Sequence, residues 1–305
     1  MSDRLSEVSE LESWEFEEGV PIAPERTVLK RIGGGSRYEV YLVWDEYLFS
    51  LAVAKVLRPD LVSDGRALRE LRDEAEVLDA LAHPVIVRGF DAVLDGSHPH
   101  VMIEHLEGPS LRRLIRRDGA LPLQQLLPLA LHVAGALQYL SRSGVVHLDV
   151  KPDNIIMGVP PRLIDLSIAR SFERAARTSS PIGTDAYMAP EQCDPAAHEG
   201  LIGPASDVWG LGATLHHALS GSVPFPRDTD ARDSEDPRVR FPQLTDTPHP
   251  LPDDEPAALR ELILGCLERD PAERPTAAQL AGGLEPLVAE LPRKLSLSRR
   301  ASRFA

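Results

Sequence analysis

Residues 145–156 read VVHLDVKPDNII, and the reading of this stretch decides the reading of the chain. It holds His147, Asp149, Lys151, Pro152 and Asn154 at tight spacing. Moving a phosphoryl group onto a hydroxyl calls for a carboxylate that orients the acceptor and takes its proton. It also calls for a cation near the transferred group and oxygen ligands for magnesium. Asp149 has the chemistry of the base, Lys151 that of the cation, and Asn154 that of a metal ligand. Chance assembly of these residues at this spacing has odds on the order of one in ten thousand or lower. Leu148, directly before Asp149, is apolar.

Composition narrows the class. The chain has 305 residues, 43% hydrophobic and 26% charged, enough to bury a sizeable core in about two lobes. A formal charge of -14 argues against nonspecific nucleic-acid binding, since a phosphate backbone would be repelled. The start, MSDRLSEVSE, lacks a basic region followed by an apolar one, so no signal peptide is expected. The most apolar stretch, 121–140, carries Gln124, Gln125, His132 and Gln138 with two prolines and reads as a buried helix, not a membrane span. Cys193 and Cys266 are isolated thiols, which fits a reducing cytoplasm. Of 33 basic residues only Lys30, Lys55, Lys151 and Lys294 are lysine, and Asn154 is the single asparagine. Where composition has drifted so far toward arginine, a surviving Lys or Asn marks a place its substitutes cannot fill.

Periodicity organises the chain. Residues 1–25 are acidic and aperiodic and read as a flexible N-terminal extension, with Trp14 and Phe16 able to dock. Alternation predicts strands in RTVLKRI, EVYLVW and LAVAKVL within 26–58, the first running into a turn at Gly33–Gly34–Gly35. Spacings of four, three and four among Leu71, Ala75, Leu78 and Ala82 predict a helix over 66–82. HPVIVRGF (83–90) and HPHVMIEHL (98–106) read as two further strands. Beyond residue 107 helices dominate: 122–142, a helix ending at Gly221, then 256–269 and 275–290, with 224–256 mostly loop. The last fifteen residues, 291–305, form a basic tail containing RRAS at 299–302.

With these elements in order, 145–156 resembles the catalytic loop of eukaryotic-type (Hanks-type) protein serine/threonine kinases, and the arginine-heavy composition suggests a bacterial member. Lysine two residues after the aspartate is the serine/threonine form. The resemblance spans roughly 26–290 and implies an α+β, bilobal protein-kinase fold. Its N-lobe (about 26–105) is a small antiparallel β-sheet with one main helix, and its C-lobe (about 106–290) is larger and mainly helical. It implies ATP and Mg²⁺, with Mn²⁺ as an alternative, and protein substrates.

The resemblance then assigns residues. IGGGSRYEV (32–40) is similar to the glycine-rich loop, Gly33 and Gly35 letting backbone approach the phosphates, Val40 covering the base, and Tyr38 standing at the third glycine position. Lys55 in AVAK would hold the phosphates, with Val53 at the adenine ceiling. Its partner is Glu74, which falls on the inward helix face with Ala67, Leu71, Leu78 and Leu81, where a carboxylate without a cation would be costly. Ile103 is the gatekeeper position, and the backbone from Glu104 to Leu106 would meet adenine. Asp165 in DLS would be the main metal ligand beside Asn154, with Leu166 in the apolar slot that follows. Thr184 would bond Asp149 and Lys151, Glu191 would pair with Arg274, and Asp207 would brace the catalytic loop.

Three departures shape the expectations. Leu148 cannot pair with a phosphorylated loop residue, so phosphorylation at Thr178, Ser179 or Ser180 is expected not to be a strict on-switch. Tyr38 and Ser167, replacing glycines, leave a noncatalytic nucleotide-binding scaffold as an alternative. A small-molecule phosphotransferase is a further alternative, disfavoured by Lys151 and by the segment from Gly183 to Glu191, which resembles a peptide-docking platform.

Overall fold

A computed structural model describes residues 12–198, 200–226, 231 and 234–292. The RRAS motif and nearly all of the basic tail lie outside the described residues, as do residues 1–11. Six strands form one antiparallel sheet: β1 (Pro21–Ala23), β2 (Arg26–Gly34), β3 (Tyr38–Asp45), β4 (Ser50–Leu57), β5 (Gly89–Val93) and β6 (His100–Glu104), in the order β1-β2-β3-β4-β6-β5. The helix α1 (Gly65–Ala80) lies between β4 and β5 in sequence. It starts where Asp64 accepts the N–H groups of Arg66 and Ala67 at 2.6 and 3.0 Å, which satisfies two of the free donors at its end. Its buried residues are Ala67, Leu71, Glu74 and Leu78, the inward face that the spacing predicts.

Two differences from the expected elements are instructive. The strand expected over 83–90 is displaced to Gly89–Val93. Val85, Ile86 and Val87 are buried, yet they run as the connection from α1 to β5, packed against the helical lobe. There the Val87 N–H donates to Leu163 O, and Ile86 bridges Leu163. Their apolar run reports burial and not sheet pairing. The second concerns residues 1–25: from Glu12 onward they pack on the sheet. Trp14 and Phe16 join the cluster of Ile22, Val28, Tyr41 and Val43, and β1 extends the sheet.

The helical part begins with α2 (Leu111–Asp118), which the periodicity did not single out, and α3 (Leu123–Arg142). Short strand pairs follow: β7 (Val145–Val146), β8 (Ile155–Ile156), β9 (Arg162–Leu163) and β10 (Arg170–Ser171), with β7 pairing β10 and β8 pairing β9. They return the chain to the mouth between the lobes. Then come α4 (Phe172–Ala176), α5 (Pro190–Cys193), α6 (Pro204–Ser220), α7 (Pro237–Arg240), α8 (Ala257–Cys266) and α9 (Ala277–Ala289). Within the loop expected over 224–256 lie α7 and a short 3-10 turn at Pro242–Leu244. Helix α6 is buried almost throughout and ends at Gly221, whose φ of 79° is left-handed. One core cluster joins α1, α3, α6, α8 and α9, so the lobes share an apolar centre.

The core also holds neutral histidines. His217 on α6 lies 2.6 Å from the Tyr187 hydroxyl, and burial, reinforced by Arg112, holds its pKa down to about 4. Burial also lowers His216 and His100. An unfolded histidine takes up its proton near pH 6.5, so across the interval from there down to about 4 the unfolded chain binds more protons. Stability should therefore fall on acidification through that window. Urea midpoints measured across it should show a shallower slope in His217→Gln than in the wild type.

Candidate active site

The mouth between sheet and helices is a cleft of about 910 Å³. Its wall includes Gly33, Gly35, Val40, Lys55, Asp149, Lys151, Asn154 and Asp165, eight of the residues singled out from sequence, contributed by β2, the turn after it, β3, β4 and the segments after β7 and β9. Val53, Glu104 and Leu106 are not part of this wall. Val53 stands opposite Ile103 in the β4–β6 register. The Glu104 side chain is committed elsewhere, accepting from the Arg88 backbone N–H at 2.8 Å and from the guanidinium groups of Arg88 and Arg162. Only the backbone of this residue is free to serve a ligand.

At the upper edge, the glycines differ in what they do. Gly34 has φ 147°, and a Cβ there would come within 2.8 Å of Tyr38 O, so the turn itself needs glycine at that position. A Cβ on Gly35 would meet nothing within 4 Å, and on Gly33 only Val40 at 3.9 Å. The chain does not need glycine at these two positions; a ligand pressed against the backbone would.

Lys55 organises the centre. Its Nζ donates to Glu74 Oε1 and Oε2 at 2.8 and 3.1 Å and to Asp165 Oδ1 at 2.7 Å. The Tyr38 ring centroid is 4.7 Å from the same ammonium, a cation–π contact that sequence reasoning missed because it treated position 38 as a lost glycine. Burial disfavours the charge on Lys55, but Glu74 and Asp165 overcome it and hold the amine protonated well above the lysine range. Burial likewise opposes ionisation of Asp165, and Lys55 pulls its pKa below the usual carboxylate range. Burial pushes Glu74 upward against the pull of Lys55, and the two-pronged contact marks it as the paired carboxylate. Asp165 has φ 66°, while Ser167 is not left-handed, so serine in place of glycine introduces no backbone strain there.

Asp149 sits in a second network. Lys151 Nζ donates to Asp149 Oδ2 and to Thr184 Oγ1, both at 2.6 Å, and Thr184 donates to Asp149 Oδ1 at 2.7 Å. The Asn154 amide donates to Asp149 O and Oδ2 at 2.9 and 3.0 Å, leaving its carbonyl oxygen for a cation. Below this, buried Asp207 accepts the N–H groups of His147 and Leu148 at 2.8 and 2.7 Å. Gln192, which the sequence did not flag, donates to Leu148 O and Ile182 O at 2.8 and 2.9 Å. Glu191 receives two bonds from Arg274 at 2.7 and 2.8 Å and one from Ser206 at 2.7 Å.

Leu148 itself has φ 67° and is 3% exposed. It packs with Val146, Ala175 and Ile202, and with Ile168, Phe172 and Ile182 of the segment that follows Asp165. The Thr178 hydroxyl lies in that segment, 3.4 Å from Arg170 Nη1.

With this geometry in view, comparison with known proteins is consistent. Residues 26–282 match the family described as "Protein kinase domain", and the chain belongs to that family. It is 34% identical over 270 residues to a probable serine/threonine-protein kinase, PkwA, of Thermomonospora curvata, covering 86% of this chain and 34% of that one. It is 33% identical over 207 residues to the serine/threonine-protein kinase PknB of Mycobacterium leprae, covering 65% of this chain and 33% of that one. It is 30% identical over 275 residues to the serine/threonine-protein kinase PknL of Mycobacterium tuberculosis, covering 87% and 66%. The chain thus spans about a third of the length of the first two relatives. Among the described residues no helix is long and apolar enough to cross a membrane.

The Glu191–Arg274 pair has both side chains at 0% exposure. Arg274→Ala would strand Glu191 without its cation, and breaking such a pair costs about 3–5 kcal/mol. Urea unfolding monitored by circular dichroism should show a loss of that size.

Proposed function

We propose that this chain is the catalytic domain of a protein serine/threonine kinase, transferring the γ-phosphate of ATP to Ser or Thr hydroxyls of proteins, itself included. One observation carries the reading: two closed charge networks face a single cleft, Lys55–Glu74–Asp165 and Asp149–Lys151–Thr184–Asn154. Asp149, oriented by Lys151, Thr184 and Asn154, positions the acceptor hydroxyl and takes its proton. Lys151 neutralises charge on the transferred group, and Lys55, locked by Glu74, meets the other phosphates. Gly33 and Gly35 leave backbone open to those phosphates, and Val40 covers the base. Asn154 and Asp165 offer one amide oxygen and one carboxylate, a hard-oxygen set that suits Mg²⁺ or Mn²⁺ shared with phosphates. When bound, that metal neutralises the phosphate charge that builds during transfer.

Both charge networks being intact speaks against the noncatalytic scaffold. The link from Lys151 to Thr184, within the segment running to Glu191, favours a peptide over a small-molecule acceptor. The apolar packing of Leu148 supports a segment ordered without phosphate, with Thr178, Ser179 and Ser180 as sites of autophosphorylation that is not a strict on-switch.

With radiolabelled ATP and purified protein, Asp149→Asn should lower transfer by about 10²–10⁴-fold while nucleotide still binds. Full transfer by that variant overturns the mechanism. Replacing Thr178, Ser179 and Ser180 together by alanine should keep activity within about threefold of wild type, the scale of a solvent-exposed ion pair. Collapse of activity in the triple variant would show that a loop phosphate is required.

A further inference from the structure

The outer face of the sheet carries a buried charge cluster that the proposed chemistry does not use. Glu39 follows Tyr38 on β3 and is 0% exposed. Strand alternation puts it on the opposite face from Val40, whose side lines the cleft. Its Oε1 accepts from Arg58 Nη1 at 3.0 Å and lies 3.7 Å from Arg31 Nη1. Its Oε2 accepts from the Tyr41 hydroxyl and, at 3.3 Å, from the Trp14 backbone N–H. Burial opposes ionisation of Glu39, but hydrogen bonds from Ser13 and Tyr41 hold its pKa below the glutamate range.

The two arginines connect this carboxylate to the glycine turn. Arg58, just past β4, donates through Nε to Gly35 O at 2.7 Å, and its backbone N–H donates to Arg37 O at 2.9 Å. Arg31 Nε donates to Gly33 O at 3.3 Å. The same guanidinium groups grip the N-terminal residues, Arg58 Nη1 donating to Glu12 O at 2.8 Å and Arg31 Nη1 to Ser13 Oγ at 3.4 Å. Residues 12–16 are in turn pinned by their aromatic rings. Trp14 Nε1 donates to Leu57 O at 2.8 Å, Trp14 and Phe16 stack at 5.5 Å, and Phe16 meets Tyr41 at 5.3 Å.

A trans peptide is planar, so a carbonyl and the N–H that follows it point in opposite directions. Arg58 is not part of the cleft wall, whereas Gly35 and Ser36 are. Holding Gly35 O toward Arg58 therefore turns the Ser36 N–H away from Arg58. Backbone N–H groups aligned in this way are what a phosphate binds.

We propose that the strap of residues 12–16, acting through Glu39 and Arg58, is a positioning device for the glycine-rich turn and sets the affinity of the cleft for nucleotide phosphates. The inference rests on the nucleotide-binding reading above. Arg58 and Glu39 touch no ligand; they act through the backbone of residues 33–37. Lysine at 58 keeps the charge but cannot bond Gly35 O, Glu39 and Glu12 O together.

The test compares MgATP and adenosine binding, by calorimetry, in the wild-type chain, Arg58→Lys and Trp14→Ala. Losing a hydrogen bond to a charged group is worth about tenfold in affinity. Arg58→Lys should weaken MgATP about tenfold and leave adenosine unchanged, with kcat at saturating nucleotide preserved and KM for ATP raised. Trp14→Ala leaves the Glu39–Arg58 pair in place and should weaken MgATP by a smaller factor, about threefold. Should Arg58→Lys not fold, the Trp14→Ala measurement alone supports or overturns the proposal. Folded variants that bind MgATP like the wild type overturn it, as does equal weakening of MgATP and adenosine, which would mark general damage. A wild type that binds neither ligand instead removes the nucleotide-binding reading, and the proposal with it.

Discussion

A lysine ammonium buried between two lobes cannot stand alone, and much of this structure follows from how Lys55 is satisfied. Its charge is met by Glu74 from α1 and by Asp165 from the segment after β9, so three separate pieces of chain must converge on one atom. If α1 rotated outward, Lys55 would lose Glu74 and remain a half-compensated buried cation, a costly state. The ion pair thereby sets the rotation of the helix against the sheet. Asp165 ties that assembly to the helical lobe. Tyr38 closes another side, packing in the same apolar cluster as Ala67 and Leu71 of α1 while its ring faces the ammonium.

The helical lobe repeats the device with backbone as the cargo. Asp207, on a helix buried along most of its length, accepts two consecutive N–H groups, of His147 and Leu148, in the loop that bears Asp149. Gln192 reaches the carbonyl of the same Leu148 from the other side. Leu148 can hold φ 67° because both its backbone polar groups are engaged and its side chain is enclosed. Gly183 sits against that carbonyl so closely that a Cβ would come within 2.9 Å of it. The loop bearing Asp149 is thus fixed by neighbours that take no part in the proposed chemistry, and the apolar contacts of Leu148 extend this order to the segment carrying Thr178.

How far this was legible from sequence varies by residue. Glu74 could be placed because helix periodicity is a local property, and a carboxylate on an otherwise apolar face demands a cation. The Asp149–Lys151–Asn154 set was legible because all three groups lie within one short loop. The run Val85–Ile86–Val87 misled, since apolar residues report burial whatever the backbone does, and here burial comes from packing against the helical lobe. Tyr38 was read as a defect of the glycine loop because its ammonium partner lies on another strand. The backbone of Glu104 was assigned to a nucleotide base, with no sign in the sequence that its side chain would be held by Arg88 and Arg162, the latter 58 residues away.

By itself the sequence determined the kinds of groups present, the local elements that present them, and, through the motif order, a two-lobed protein-kinase fold. Only the tertiary structure decided which charges meet. Arg58, Arg31 and Glu39 carry no distinguishing local pattern, and their convergence with residues 12–16 on the glycine turn arises from strand register and side-chain reach. Periodicity and spacing act over a few residues, whereas the cost of an unpaired buried charge is settled among residues far apart in sequence.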